Sequence, residues 1–321
     1  MSIEFLSPAG VALAAGALLP LAAVAVTRRR AGRVSESVGL PEPPRRRVVV
    51  PALSTLAVAG LLGLAAAQPV LERTTPRRVR TDVEGYLVLD VSRSMLARET
   101  LDSPSRFVRA KAVAARIRGT LPDVRLGLAS LTDRVLPHVF PTADEDVFFA
   151  ALADSIGIER PPPRSSFLTR ATSFNSLAEL STRGFFSAAA TRRLVVVLTD
   201  GESEPAVGDR LRRAFSRGPG IRIVFVQFWH EDERVYTRGA AEPQYRPDPS
   251  SHEILAALAL ATDGRVYGEA EAGDAATEVR RLLGSGPTRI EGRRREPIVL
   301  APFVALGALL PAGLLLGRRD R

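Results

Sequence analysis

The chain has 321 residues, enough for one sizeable domain plus further segments. It contains no cysteine, which excludes disulfides, zinc–thiolate sites and a cysteine nucleophile. The formal net charge is +9 and Lys111 is the only lysine, but the many arginines gather beside apolar segments with few aromatic residues interleaved, so the basicity does not point to nucleic acid.

In chain order, the first feature is an apolar run over residues 5–27, closed by Arg28-Arg29-Arg30. A second run, 48–71, follows Arg45-Arg46-Arg47, and a third, 297–317, ends in Arg318-Arg319-Asp320-Arg321. Each is about long enough to cross a hydrocarbon core of roughly 30 Å, so three transmembrane helices are expected. A signal peptide is the lesser reading of the first run, because Glu4 precedes it and arginines follow it. The loop 28–47 holds seven arginines against Glu36 and Glu42. That imbalance predicts a cytoplasmic loop and tail, a multi-pass protein of the cell membrane and an extracytoplasmic middle region. The chain then divides into an N-terminal membrane region 1–71, a middle domain 72–288 and a C-terminal membrane anchor 289–321.

The middle region alternates strand and helix patterns, as a doubly wound, mostly parallel α/β sheet does. Tyr86-Leu87-Val88-Leu89 reads as a strand buried on both faces. Residues 105–121 read as a helix, with Phe107, Ala110, Val113, Ile117 and Leu121 on one face and Arg109, Arg116 and Arg118 mostly away from it. Residues 124–128 form a strand, and 135–140, with Pro137 inside, an edge strand. Helices are expected at 144–156 and 174–186, with the stiff connector Arg160-Pro161-Pro162-Pro163-Arg164 between them. Buried strands follow at 194–198 and 221–228, and helices at 254–261 and 275–283 flank a last strand at 265–267. His138 reads as structural, and His230, next to three acidic residues, as part of a solvated loop.

Two of the buried strands deliver a carboxylate at their carboxyl ends. Asp90-Val91-Ser92-Arg93-Ser94 follows the first, and Thr199-Asp200-Gly201-Glu202 follows the strand at 194–198. Between them in sequence lies a hydroxyl-rich stretch, Ala171-Thr172-Ser173-Phe174-Asn175-Ser176-Leu177. The carboxyl ends of the strands form the ligand crevice of an open parallel sheet. One anion with two hydroxyls at alternate positions, and a second anion nearby, makes an all-oxygen site for a hard divalent cation. Mg²⁺ suits it, because that ion needs few protein ligands and keeps several waters. Ser92 and Ser94 lack the G-x-S-x-G setting of an activated serine.

Together these three stretches, and the succession of elements around them, resemble the von Willebrand factor A (VWA) domain and its metal-ion-dependent adhesion site. The resemblance implies a metal held by Asp90, Ser92, Ser94, Thr172 and Asp200, with the hydroxyls coordinating directly and the carboxylates acting largely through water. Mn²⁺ or Ca²⁺ are alternatives to Mg²⁺. The family's threonine usually follows a glycine, whereas Ala171 stands here, so Ser173 remains an alternative to Thr172.

The placing of apolar segments around the domain resembles the Bat-type membrane-anchored VWA proteins of bacteria. That resemblance implies a non-enzymatic protein-binding module acting in assembly or envelope-associated complexes. Its partner would offer an Asp or Glu carboxylate to the metal, and other VWA proteins and a MoxR-type AAA+ ATPase are further partners. Two other readings stay open. A metal-dependent phosphohydrolase would use Asp90, but Ser92 occupies the place of the second carboxylate in the D-x-D pattern of haloacid-dehalogenase-like phosphatases. A channel-associated protein would need an ion path, and the apolar runs carry no charge. The segment His230–Ser251 is long and charged, and is expected to border the metal crevice.

Overall fold

The computed structural model describes residues 2–17, 46–160, 172–182, 184–204 and 208–316, with the isolated positions 22, 26, 30 and 162. The chain forms two units, one of residues 1–77 with 292–321 and one of residues 78–291. The first begins with strand β1 (Ser2–Phe5) and a 3-10 helix at Pro8–Ala17. Helix α1 (Arg46–Ala66) leads into β2 (Pro69–Arg80), which pairs antiparallel with β1.

Runs of valine and leucine build the centre of the second unit. In β3 (Val83–Asp90) every residue is buried. Alternate side chains point to opposite faces, so Tyr86 and Val88 join one core and Leu87 and Leu89 the other. Each such Val or Leu contributes about 1.5–3 kcal/mol on full burial, which makes this strand a rigid platform. Helix α2 (Arg106–Thr120) starts at Ser105, whose hydroxyl accepts from the Val108 N–H, and lays Phe107, Ala110, Ala114 and Ile117 on the sheet.

Strand β4 (Arg125–Leu131) pairs parallel with β3, and the irregular β5 (Val135–Thr142) runs antiparallel at the edge, as Pro137 requires. The helix expected at 144–156 is α3 (Glu145–Ala150), capped by Asp144, followed by a π turn at Ala151–Ser155. The connector residues 161 and 163–164 lie outside the described residues. Where a helix was expected at 174–186, a 3-10 helix spans Phe174–Ser181 and ends in a turn before Gly184, whose φ is +68°.

Strand β6 (Arg192–Thr199) then pairs parallel with the opposite edge of β3. It is followed by α4 (Gly208–Phe215), β7 (Arg222–Gln227), the two-residue strands β8 (Tyr236–Thr237) and β9 (Ala240–Ala241), α5 (Ser251–Ala261), β10 (Arg265–Gly268) and α6 (Ala272–Leu283). The order β10-β7-β6-β3-β4-β5 makes a six-stranded sheet, parallel except at β5. Residues of α2 and α6 cover one face, and residues of α4, α5 and the 3-10 helix at Phe174–Ser181 the other. The doubly wound α/β reading therefore describes this unit.

The chain returns to the first unit through β11 (Thr288–Val299), which joins β1 and β2 in a three-stranded sheet, followed by α7 (Ala301–Gly307) and α8 (Leu309–Leu316). Among the described residues no helix is long and apolar enough to cross a membrane. This overturns the expectation of three transmembrane helices and the multi-pass placement, and removes the topology on which the extracytoplasmic placing of the middle region rested. In the C-terminal run the reason is local. Strand β11 takes its first residues up to Val299, and Ala308 separates two helices of 7 and 8 residues, each only about 10–12 Å long at 1.5 Å per residue. The described part of the first run is the 3-10 helix, about 20 Å long at 2 Å per residue. The remainder of the first run and the basic loop to residue 45 lie, apart from positions 22, 26 and 30, outside the described residues.

Candidate metal centre

Strand order reverses at β3, with β4 and β5 on one side and β6, β7 and β10 on the other. The crevice at the carboxyl ends of β3 and β6 is therefore where such a sheet holds a ligand. Asp90 is the last residue of β3 and Asp200 the first after β6, and both are fully buried.

Uncharged donors hold Asp90. The Ser92 N–H donates to Oδ1 at 2.9 Å, and the Thr172 hydroxyl lies 2.9 Å from both carboxylate oxygens. The Thr199 hydroxyl donates to Oδ2 at 2.6 Å and accepts from the Gly201 N–H at 3.0 Å. The hydroxyls of Ser92 and Ser94 are 3.0 Å apart, and Ser94 hydrogen-bonds to Asp200. Asp90, Ser92, Ser94, Thr172 and Asp200 thus meet in one cluster.

Local backbone geometry sets each of them in place. Thr172 is aligned by a parallel bridge to Ser203, and its carbonyl accepts from the Glu204 N–H at 2.9 Å. Ser173, the alternative to Thr172, is held through its backbone. Its N–H donates to the Thr132 carbonyl at 2.9 Å, and its own carbonyl accepts from the Ser176 hydroxyl at 2.7 Å at the start of the 3-10 helix. Gly201 has φ +85°, and a Cβ there would fall 2.8 Å from the Ser251 carbonyl oxygen, so only glycine makes the turn beside Asp200.

Burial and then the neighbouring Asp200 charge push the Asp90 carboxyl up to about 7. Burial also raises Asp200, against the opposing pull of Arg106. Two buried carboxylates that repel one another are the setting in which a divalent cation gains most. Two carboxylates and three hydroxyls are hard oxygen donors, with no soft ligand among them. Among the described residues no group of three or more His, Asp or Glu is placed to hold a metal. An ion here would rest on this mixed set and on water, as Mg²⁺ commonly does.

The sequence did not single out what surrounds Asp200. Arg106, fully buried, donates through Nη1 to Asp200 Oδ2 at 3.1 Å and Glu202 Oε1 at 2.8 Å, and through Nε to Glu233 Oε2 at 2.5 Å. Arg109 adds bonds to Glu233 at 2.6 Å and to Glu269 at 2.8 Å. Burial works against the charge on Glu233, but Arg106 and Arg109 hold its carboxyl below the usual range. Glu202 goes the other way, raised by burial and by Asp200. The acidic partners were visible in Thr199–Glu202 and Glu231–Glu233; their meeting with the first turn of α2 is a long-range contact with no local signal. Arg118 also departs from its expected place off the apolar face. It is buried and donates to the carbonyls of Leu121 and Ala143 at 2.8 and 3.0 Å.

The segment between β7 and α5 folds back over this end of the sheet. Its Glu242 pairs with Arg93, the Tyr236 hydroxyl donates to the Glu99 carbonyl at 3.2 Å, and the Tyr245 hydroxyl donates to Glu202 at 2.8 Å. A cavity of about 330 Å³ is lined by Arg93, Ser94, Glu202, Val235, Tyr245 and Asp248 among others. His230 is exposed, and its N–H donates to Glu233 at 3.2 Å. His138 lies in β5 with Nε2 2.9 Å from the Ser130 hydroxyl, and burial lowers its pKa.

A parallel sheet wound on both faces, with Asp-x-Ser-x-Ser, a threonine and a second aspartate at the crevice, defines a VWA-type domain. A family model for the von Willebrand factor type A domain matches residues 86–202. The chain carries a VWA domain and resembles the Bat-type VWA proteins. BatB from Bacteroides thetaiotaomicron is 19% identical with a TM-score of 0.51, over 63% of this chain and 100% of that one. An aerotolerance-related membrane protein from Bacteroides fragilis aligns at 19% identity and a TM-score of 0.49, over 63% of this chain and 98% of that one. Proximal thread matrix protein 1 from the mussel byssus, solved with a zinc-occupied MIDAS motif, aligns at 12% identity and a TM-score of 0.40, over 66% of this chain and 49% of that one. At these identities the likeness to BatB speaks for the fold. No curated protein matches the chain.

Proposed function

We propose that the VWA domain is a divalent-cation-dependent protein-binding module, whose site is formed by Asp90, Ser92, Ser94, Thr172 and Asp200. The observation that carries this reading is the meeting of two fully buried carboxylates with three hydroxyls at one strand-end crevice. A bound Mg²⁺, Mn²⁺ or Ca²⁺ supplies a Lewis-acidic position that a partner's Asp or Glu carboxylate can fill. Ser92, Ser94 and Thr172 would hold the ion through their hydroxyl oxygens, and Asp90 and Asp200 would supply the negative charge that balances it. The segment between β7 and α5 forms one wall and selects the partner. Other VWA proteins and an AAA+ ATPase are the partner classes to which the Bat-type resemblance points.

The alternative of Asp90 as a phosphoryl-accepting nucleophile fits the geometry less well. Its oxygens already accept from Ser92, Thr172 and Thr199, and the side chain is fully buried. Calorimetric titration of MgCl₂ into the full chain tests the reading. One saturable site is expected, lost in Asp90→Ala while the circular dichroism spectrum is kept. Equal affinity in the variant rejects the site.

A further inference from the structure

A guanidinium has one N–H on Nε and two on each terminal nitrogen. In Arg106 the Nε hydrogen goes to Glu233 at 2.5 Å. Nη1 lies within bonding distance of three acceptors: Glu202 Oε1 at 2.8 Å, the Tyr245 hydroxyl at 3.0 Å and Asp200 Oδ2 at 3.1 Å. Two hydrogens cannot serve three acceptors well. Nη2, also buried, has no hydrogen-bond partner. Asp200 is the most distant of the three, and it can leave Nη1 without stranding a hydrogen there.

The remaining partners lie on other parts of the molecule. Glu233 and Tyr245 sit at opposite ends of the segment that closes over the crevice, and Glu202 joins them, because it also accepts from the Tyr245 hydroxyl at 2.8 Å and the Asp248 N–H at 3.4 Å. One buried side chain therefore touches the metal-site aspartate and both ends of the wall of the partner site.

We propose that Arg106 is a positioning residue that couples occupancy of the cation site to the order of residues 230–250, with Asp200 exchanged between the guanidinium and the cation. This rests on the metal reading above. Without a cation, Asp200 competes for Nη1 and loosens its bonds to Glu202 and Tyr245. Once Asp200 turns to the cation, two hydrogens serve two acceptors and the segment tightens. By reciprocity, a partner that clamps the segment strengthens cation binding by the same factor.

Amide hydrogen exchange of the full chain, with and without Mn²⁺, tests the coupling, with Mn²⁺ affinity measured in parallel. Mn²⁺ is expected to slow exchange within 230–250 at least fivefold in the wild type. Arg106→Lys, which keeps the charge but not the fork, loses this slowing. Tyr245→Phe removes a single hydroxyl, still binds Mn²⁺, and also loses it; this variant decides the matter if Arg106→Lys does not fold. A wild type that binds Mn²⁺ without any change in the segment overturns the coupling and leaves the metal reading standing. Slowing that persists in Tyr245→Phe does the same. A wild type that binds no Mn²⁺ overturns both.

Discussion

The two carboxylates of the crevice are equally buried but differently held. Asp90 accepts from a backbone N–H and two threonine hydroxyls, none of them charged. Asp200 accepts from the Glu202 N–H and from Arg106, whose guanidinium is tied to further acids. The Asp90 half orients a charge and leaves it uncompensated. The Asp200 half already contains its counter-ion. Desolvation is tolerated in the second because its counter-ion is built in, whereas the donors to the first are neutral and burial raises its carboxyl.

The largest effect expected from this contrast is an unequal loss of cation binding. Asp90→Ala should weaken Mg²⁺ affinity by about 100-fold and Asp200→Ala by about tenfold, the range seen for residues that support a metal through its ligands. Calorimetry on the two variants measures the ratio; equal losses would erase the distinction between the halves.

The next effect is on pH. The Asp90 carboxyl is raised to about 7 in the fold, so the native state holds this proton more tightly than the unfolded chain does. Stability from this group is full below the ordinary carboxylate value and is lost as pH rises through about 7 in cation-free protein. Cation binding needs the ionised form, so affinity should rise by about tenfold per pH unit below that point and level off above it. Titrations at a series of pH values check both trends. A flat profile would place Asp90 outside the site.

A smaller effect isolates the neutral donors. Thr199→Val removes a 2.6 Å bond to Asp90 and strands the Gly201 N–H, which should cost about 1–3 kcal/mol in urea unfolding. The smallest separates adjacent hydroxyls. Thr172→Ala should lower cation affinity about tenfold, whereas Ser173→Ala should leave it within about twofold, since Ser173 is anchored through its backbone.

The half of the site built from neutral donors was the half legible in the sequence. Its parts fall in short motifs at strand ends: Asp90, Ser92 and Ser94 follow one apolar strand, and Thr199 opens the Thr-Asp-Gly-Glu turn after another. Uninterrupted apolar runs likewise marked β3, β6 and β7, because a strand buried on both faces has no polar positions. The guanidinium network was not legible. No local pattern ties Arg106 to Glu233; the two are 127 residues apart and meet only when α2 packs on the sheet. Hydropathy failed in another way at the C-terminus. An apolar run of transmembrane length reads as one helix, yet here it is shared between β11, α7 and α8. Hydropathy carries no information on where hydrogen bonding changes from ladder to helix. The helix expected at 174–186 starts at Phe174 but ends at Ser181, shortly before Gly184, which takes a positive φ that a helix cannot continue through.

The claim at the centre of this account is that the crevice holds a divalent cation with a position open to a carboxylate. Electron paramagnetic resonance of Mn²⁺ with the full chain, followed during addition of acetate, tests it most directly. Loss of the free Mn²⁺ signal at one ion per chain is predicted, with a change in the bound spectrum as acetate enters, and neither should occur in Asp90→Asn. Mn²⁺ that stays free, or binds Asp90→Asn as tightly as the wild type, would contradict the claim.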